Sequence, residues 1–411
     1  MIQLSDRVMK LKPSSTLAVT ARARALKAEG VDVVSFGAGE PDFGTPEHIS
    51  AAAWEALQAG CTRYEDTAGT PEARRAVARY MKTRHGLEVT AQNVILSTGA
   101  KHALYLAFMA IMNPGDELIL PSPYWVSYPA HAALAGASCR VVPGSVDREF
   151  KITPRQLEEA LTERSRVLML CSPSNPAGTT YTRAELQALA EVVLRHPRLL
   201  VFSDEIYERL VYGEEPFTCF ASLGPEVAAR TVVFNGVSKA YAMTGWRVGY
   251  AVGPTEVISA MAKLQGQMTS NITSFTMPAV VTALEGPQEP VERMVAEFAR
   301  RAEHIHRRMS AIPGVKCPRP TGAFYIFPDI SQAVFGRRDP AGQILDTAQA
   351  FATSLLEHAR VAVVPGEDFG APDHVRLSFA TSMEQIDKGM DRITEFMARL
   401  QADSPVPAGN P

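Results

Sequence analysis

Between about residue 46 and about residue 285 the chain alternates short apolar runs with stretches of helical texture. The runs Val94–Ser97, Glu117–Leu120, Arg140–Val142, Val167–Cys171, Leu199–Ser203, Thr231–Phe234 and Val248–Val252 read as strands. Continuous hydrophobicity over such lengths suits strands buried on both faces. Most are separated by enough residues for a helix. That alternation predicts a largely parallel sheet flanked by helices, because a parallel neighbour needs a crossover connection.

Local signals mark where helices begin and end. Thr45-Pro46 predicts a helix with Thr45 as N-cap and Pro46 in its first position, closed by Gly60. Thr70-Pro71 opens another, which ends near Gly86. After about Gly286 the texture changes. A long charged amphipathic helix over Pro290–Met309 is followed by strands at Ala323–Phe327, Val361–Val364 and His374–Phe379, and helices near Thr347–His358 and Met383–Leu400. A chain of 411 residues exceeds what one small core organises, so two domains are expected. The reading is a large α/β domain over 46–285 and a smaller α+β domain over 286–401, with residues 1–45 joining the smaller one. Residues 402–411, ADSPVPAGNP, read as a disordered tail.

Charge and cysteine usage narrow the partners. The net charge is −3, which argues against a polyanion such as nucleic acid. Cysteines at 61, 139, 171, 219 and 317 are odd in number and form no C-x-x-C, so neither a zinc site nor a disulfide framework is suggested. Reduced thiols in a cytoplasm are the expectation. The first residues lack the apolar core of a signal peptide, and no apolar run has the length of a membrane span.

Lys239 stands in Ser238-Lys239-Ala240-Tyr241-Ala242-Met243-Thr244-Gly245-Trp246-Arg247. A lysine amine forms a Schiff base with an aldehyde. Arg247, eight residues on, offers a guanidinium suited to phosphate, and Ser238 adds a hydroxyl. Amine, phosphate clamp and hydroxyl together suit pyridoxal 5′-phosphate, which carries both an aldehyde and a phosphate. Asp204 follows the strand Leu199–Ser203, and ligands of parallel sheets bind at the carboxyl ends of strands. A carboxylate there can keep a pyridine nitrogen protonated, or can serve as a helix N-cap. Ser97-Thr98-Gly99-Ala100-Lys101, between strand and helix, offers backbone N–H groups to a phosphate. The loop Ser172-Pro173-Ser174-Asn175-Pro176-Ala177-Gly178 presents an amide, either to a phenolic oxygen or to a substrate carboxylate. Arg376 lies inside an apolar strand, where a guanidinium needs an anionic partner such as an α-carboxylate. Trp125 can stack on a ring, and the hydroxyls of Tyr64 and Tyr207 can reach polar groups of a ligand.

These motifs, with Lys12-Pro13-Ser14-Ser15-Thr16, Gly37-Ala38-Gly39-Glu40-Pro41-Asp42-Phe43 and Val363-Val364-Pro365-Gly366, resemble a class I aminotransferase of fold type I, of the bacterial aspartate aminotransferase subgroup. The resemblance covers nearly the whole chain. It implies that Lys239 is the Schiff-base lysine and proton shuttle, Asp204 the partner of the ring nitrogen, and Tyr207 and Asn175 the partners of the phenolic oxygen. Trp125 would stack on the ring. Gly99, Ala100, Lys101, Ser238 and Arg247 would surround the phosphate. Tyr64 would reach the phosphate of a neighbouring subunit, which implies a homodimer with shared sites. Arg376, Asn175, Trp125 and the Gly39 backbone would hold the amino acid, with Lys101, Ser15 and Thr16 near a side-chain carboxylate and Lys12 near the entrance. The implied reaction is transamination of aspartate or glutamate with 2-oxoglutarate or oxaloacetate. Prephenate or aromatic aminotransfer is the nearest alternative, and a carbon–sulfur β-lyase a more distant one. A regulator domain of the same fold would need a basic DNA-binding module ahead of it.

Overall fold

The structure is a computed structural model that describes residues 2–9, 11, 15–213 and 215–402, without the side chains of 15–18, 20 and 402. Of the expected tail only Ala402 is described, at the end of the strand Gln401–Ala402, and residues 403–411 lie outside the described residues. Contacts group the chain into two compact units. One comprises residues 2–9 and 11 with Glu40–Ala299 and Thr321–Ala323, and the other Arg300–Pro320 with 15–39 and 324–402, so of residues 1–45 only the middle part groups with the smaller unit.

The first unit is built on a seven-stranded sheet. Its strands are β1 (Val94–Ser97), β2 (Glu117–Ser122), β3 (Ser138–Pro143), β4 (Ser165–Cys171), β5 (Leu200–Asp204), β6 (Thr231–Gly236) and β7 (Gly249–Val252). The order is β1-β7-β6-β5-β4-β2-β3. All pairings are parallel except those of β7, which runs antiparallel to both β1 and β6. Side chains alternate between the faces with period two. Val94 and Leu96 enter one core with α1 (Glu47–Gln58), α2 (Pro71–His85) and α4 (Thr276–Glu285). Ile95 enters another with α3 (Ala100–Ile111) and the helix Thr255–Gly266. The edge strand β3 departs from the expectation of two buried faces. Only Val142 is buried there, and among the described residues no strand pairs with its outer side.

The start of α1 also differs from the sequence reading. Its cap position is Pro46, with no side-chain cap. The Thr45 hydroxyl is used elsewhere: it donates to the Ala242 carbonyl at 2.8 Å and accepts Trp246 Nε1 at 3.1 Å. Thr70 does cap α2, accepting the Ala73 N–H at 3.3 Å, and Gly86 ends that helix in the left-handed region at φ 67°. A left-handed C-cap suits glycine, which has no Cβ to clash.

The amphipathic helix α5 (Glu289–Ser310) begins in the first unit and ends in the second. Gly286, where the texture changes, ends α4 as its C-cap, while the contacts divide the chain at Ala299. In the second unit, β8 (Tyr325–Ile326), β9 (Val364–Pro365) and β10 (Val375–Ser378) form an antiparallel sheet in the order β9-β10-β8. Val34–Ser35, which the sequence reading did not identify, pairs in parallel with Val361–Ala362. Among the described residues no helix is long and apolar enough to cross a membrane.

Candidate active site

β1, β5 and β6 run in one direction, so their carboxyl ends share one edge of the sheet of the first unit. Asp204 is the last residue of β5 and is buried. Its Oδ2 accepts the Tyr128 hydroxyl at 2.8 Å, and its Oδ1 accepts the Ile206 N–H at 3.3 Å. Burial pushes the carboxyl up to about 6, while Tyr128, the Ile206 N–H and the positive charge of Lys239 pull it down. No helix starts at this turn, so the N-cap alternative does not apply.

Lys239 lies in the loop after β6, with Nζ 6.0 Å from the centroid of the Tyr207 ring. That loop is closed by Tyr241 N–H on the Val237 carbonyl at 3.3 Å and Met243 N–H on the Ser238 carbonyl at 3.0 Å. Tyr207 and Ser238 are both buried. Arg247 adopts a left-handed backbone, φ 59°, a conformation that costs a non-glycine residue about 1 kcal/mol. Its guanidinium donates to the Thr244 carbonyl at 2.8 Å and the Thr98 carbonyl at 3.4 Å.

The start of α3 faces this guanidinium. Gly99 sits at φ 81°, and a Cβ there would run into Arg247 Nη2. A Cβ on Gly249 would run into the backbone of Gly99 and Ala100. Both glycines are needed for the close approach of β7, α3 and Arg247. The first N–H groups of a helix have no acceptor within it, so those of Ala100 and Lys101 are available to an anion. The Lys101 ammonium sits 4.8 Å from the centroid of the Trp125 ring, and partial desolvation and the charge of Arg247 lower its pKa.

Trp125 meets the rings of Tyr128 and His131 edge-on, at 5.3 and 6.4 Å. His131 is buried, and burial together with the charge of Lys101 depresses it to about 4, so it stays neutral under the tryptophan. Asn175 is buried in the loop after β4. That loop is closed by Ser174 N–H on the Thr179 carbonyl and Gly178 N–H on the Ser174 carbonyl, each at 2.9 Å. It is also pinned by the Thr321 and Gly322 N–H groups, both on the Gly178 carbonyl.

In the second unit Arg376 is 2% exposed. Nη2 donates to the Gly37 carbonyl at 3.1 Å, and the guanidinium carbon lies over the rings of Tyr325 at 4.6 Å and Phe369 at 5.2 Å. Gly39, in the same unit, leaves open the space that a Cβ would take 3.5 Å from the Tyr325 hydroxyl. The structure thus gathers Lys239, Asp204 and Tyr207 about one strand edge, and Gly99, Ala100, Lys101 and Arg247 about one helix start. Tyr64 is not part of either group: it is 88% exposed. Lys12 and the side chains of Ser15 and Thr16 lie outside the described residues.

The family model for class I and II aminotransferases matches residues 31–393. The chain belongs to that family. It is 47% identical over 396 residues to the aspartate aminotransferase of Geobacillus stearothermophilus, covering 96% of this chain and 99% of the relative. It is equally, 47%, identical over 397 residues to the aspartate/prephenate aminotransferase of Cereibacter sphaeroides, covering 97% and 99%. Among solved structures, the aspartate aminotransferase from Rhizobium meliloti superposes with a TM-score of 0.94 at 41% identity, over 98% of this chain and all of that one. That from Thermus thermophilus with maleate gives 0.89 at 42%, over 96% and 100%.

Within this aminotransferase, sequence reasoning missed Tyr128 and His131. Tyr128 stands three residues after Trp125 inside a recognisable motif, but its bond to Asp204 depends on a strand 76 residues away. The sequence singled out only its neighbour Trp125, as an aromatic able to stack on a ring.

Proposed function

We propose that this aminotransferase uses pyridoxal 5′-phosphate to move the amino group of L-aspartate, or L-glutamate, to 2-oxoglutarate or oxaloacetate. One observation carries the reading: a buried carboxylate, a lysine amine and a helix start crossed by a guanidinium share one edge of the sheet of the first unit. The residues fit the cofactor. The spaces kept clear by Gly99 and Gly249 leave bare N–H groups beside Arg247, which suits a phosphate. The burial that raises Asp204 is relieved by a protonated ring nitrogen. When bound, the cofactor supplies an aldehyde and an electron-withdrawing ring that acidifies the α-hydrogen of an attached amino acid.

The chain does the rest. Ala100, Lys101, Ser238 and Arg247 bind the phosphate. Asp204 keeps its charge toward the ring nitrogen, oriented by the Tyr128 hydroxyl. Tyr207 and Asn175 bind the phenolic oxygen, and Trp125 packs on the ring. Lys239 Nζ takes the α-proton and holds it until it is returned, as a general base and then a general acid. Arg376 receives the α-carboxylate, its guanidinium already fixed by the Gly37 carbonyl and the Tyr325 ring. Lys101 takes a side-chain carboxylate, which favours dicarboxylic substrates. Tyr64 serves the site of a second copy, so the enzyme is a homodimer, and it works in the cytoplasm.

A second reading, acceptance of prephenate, is supported by the equal similarity to an aspartate/prephenate relative. Measuring kcat/KM for aspartate, glutamate, phenylalanine and prephenate separates the two. Aspartate preferred over phenylalanine by about ten- to a hundred-fold, the range for one charge-assisted bond, is expected. Equal values for aspartate and phenylalanine contradict the dicarboxylic assignment, and a prephenate rate near that of aspartate establishes the second activity.

A further inference from the structure

Behind the site, the turn after β5 carries ionisable side chains that the proposed chemistry does not use. Glu205 and Glu208 are interleaved with Asp204 and Tyr207, and both are buried. One Glu208 oxygen accepts the Tyr80 hydroxyl. The other faces His85 Nε2 at 3.1 Å, with both side chains 4% exposed. The His85 ring is held edge-on between Tyr80 and Phe217, at 6.0 and 5.6 Å. Arg209 donates Nη1 to Gln288 Oε1 at 2.8 Å, and the same oxygen accepts the Tyr241 hydroxyl at 3.2 Å. Gln288 is itself fixed by donating to the Ala283 and Gly286 carbonyls, at 2.9 and 2.8 Å. Glu205 accepts the Ser203 hydroxyl at 2.8 Å and the Phe220 N–H at 3.0 Å. Arg84 on α2, Cys219 and Tyr250 on β7 complete the ionisable groups facing this cluster.

The network connects the two segments that bear the reacting groups. Tyr207 directly precedes Glu208, and Lys239 stands two residues before Tyr241. Glu208 ties the first segment to α2, and Arg209, Gln288 and Tyr241 tie it to the second. Burial by itself drives His85 toward the neutral form, but the Glu208 carboxylate 3.1 Å away, then Glu205, outweigh it and raise its pKa. Burial also favours protonated Glu208, and His85, with the Tyr80 hydroxyl and the charge of Arg84, more than reverses that. Such a pair adds little net stability, yet removing one partner leaves the other charge buried alone.

We infer that His85 and Glu208 are positioning residues: they hold the turn after β5 on α2, and the turn so held, fastened to the loop after β6 through Arg209, Gln288 and Tyr241, keeps Tyr207 and Lys239 facing each other. The inference rests on the roles proposed above for Tyr207 and Lys239 at the cofactor.

His85→Gln keeps a polar side chain of similar reach and removes the charge. Three quantities test it: kcat and KM for aspartate in the cofactor-loaded enzyme, and the Kd for pyridoxal 5′-phosphate of the cofactor-free protein. The expected result is a fall in kcat of about ten- to a hundred-fold, the scale of a small misplacement. KM stays within about three-fold, because Arg376 is untouched, and the Kd weakens by roughly ten-fold. The double variant His85→Gln/Glu208→Gln recovers part of both losses, since no lone charge remains. A folded His85→Gln with wild-type kcat and Kd overturns the inference, even with a lower melting temperature. If His85→Gln does not fold, Tyr80→Phe, which removes the other bond that Glu208 makes to α2, decides: a weakened Kd supports the inference and an unchanged one overturns it. Wild-type protein that fails to bind pyridoxal 5′-phosphate sinks the cofactor reading instead.

Discussion

Asp204 shows what one residue contributes and what that requires. Its carboxyl sits at the end of a buried strand, raised from 3.8 to about 6 chiefly by burial. In the cofactor-free protein the native state therefore holds its proton more tightly than the unfolded state does. The stability this gives is complete below about pH 3.8 and is lost as pH rises through about 6. A shift of that size is worth about 3 kcal/mol. Asp204→Asn has no such charge to bury, so the cofactor-free variant should be more stable than wild type at pH 8 and not at pH 4. Denaturant unfolding of both proteins at both values checks this, and an equal difference at pH 4 and pH 8 contradicts it. Asp204 was legible in the sequence because strand ends in parallel sheets are where ligands bind. Tyr128, which aims it, was not, because a hydroxyl's partner across the fold leaves no local mark. Thr45 misled for the same reason: its Thr-Pro signal matched a cap, while its hydroxyl was already committed to Ala242 and Trp246.

The proposed phosphate cradle belongs to the elements. The N-terminus of α3, the strand β7 and the left-handed turn at Arg247 make it together. β7 is the sheet's antiparallel strand, and it brings Gly249 against the first residues of α3. Gly249→Ala would place a methyl group in that backbone, a form of overpacking that typically costs about 1–3 kcal/mol. The variant should melt lower and bind pyridoxal 5′-phosphate more weakly, whereas binding of pyridoxal, which lacks the phosphate, should change much less. Equal losses for both ligands would mean that the cradle is not the phosphate site. Apart from the edge strand β3, the strands of the large sheet were readable because doubly buried strands are written as continuous apolar runs. Val34–Ser35 was not, since two residues carry no period, and β3 lost its outer partner only through the sheet order. The positions of Gly99 and Gly249 were visible as letters, but their closeness to Arg247 and Ala100 is a product of packing.

At the scale of the whole molecule the proposed assembly is a dimer with shared sites. Tyr64 presents a large aromatic surface to solvent at 88% exposure, which suits a residue completed by a second copy. Mixing Tyr64→Ala chains with inactive Lys239→Ala chains tests sharing. If each site takes Tyr64 from its neighbour, one site of the mixed dimer carries both lesions and the other carries none, so activity returns on mixing. Heterodimers that form without recovery contradict sharing. The central claim, that Lys239 carries the reaction on pyridoxal 5′-phosphate, is tested most directly by a single turnover. The cofactor-loaded protein is mixed with excess aspartate and no 2-oxo acid, and its visible absorption is followed together with the oxaloacetate released. The account predicts that wild type loses its visible band and releases about one oxaloacetate per site, the stoichiometry of a ping-pong half-reaction. It predicts that Lys239→Ala, though still able to bind the cofactor, releases essentially none. Release by Lys239→Ala at the wild-type rate would contradict it.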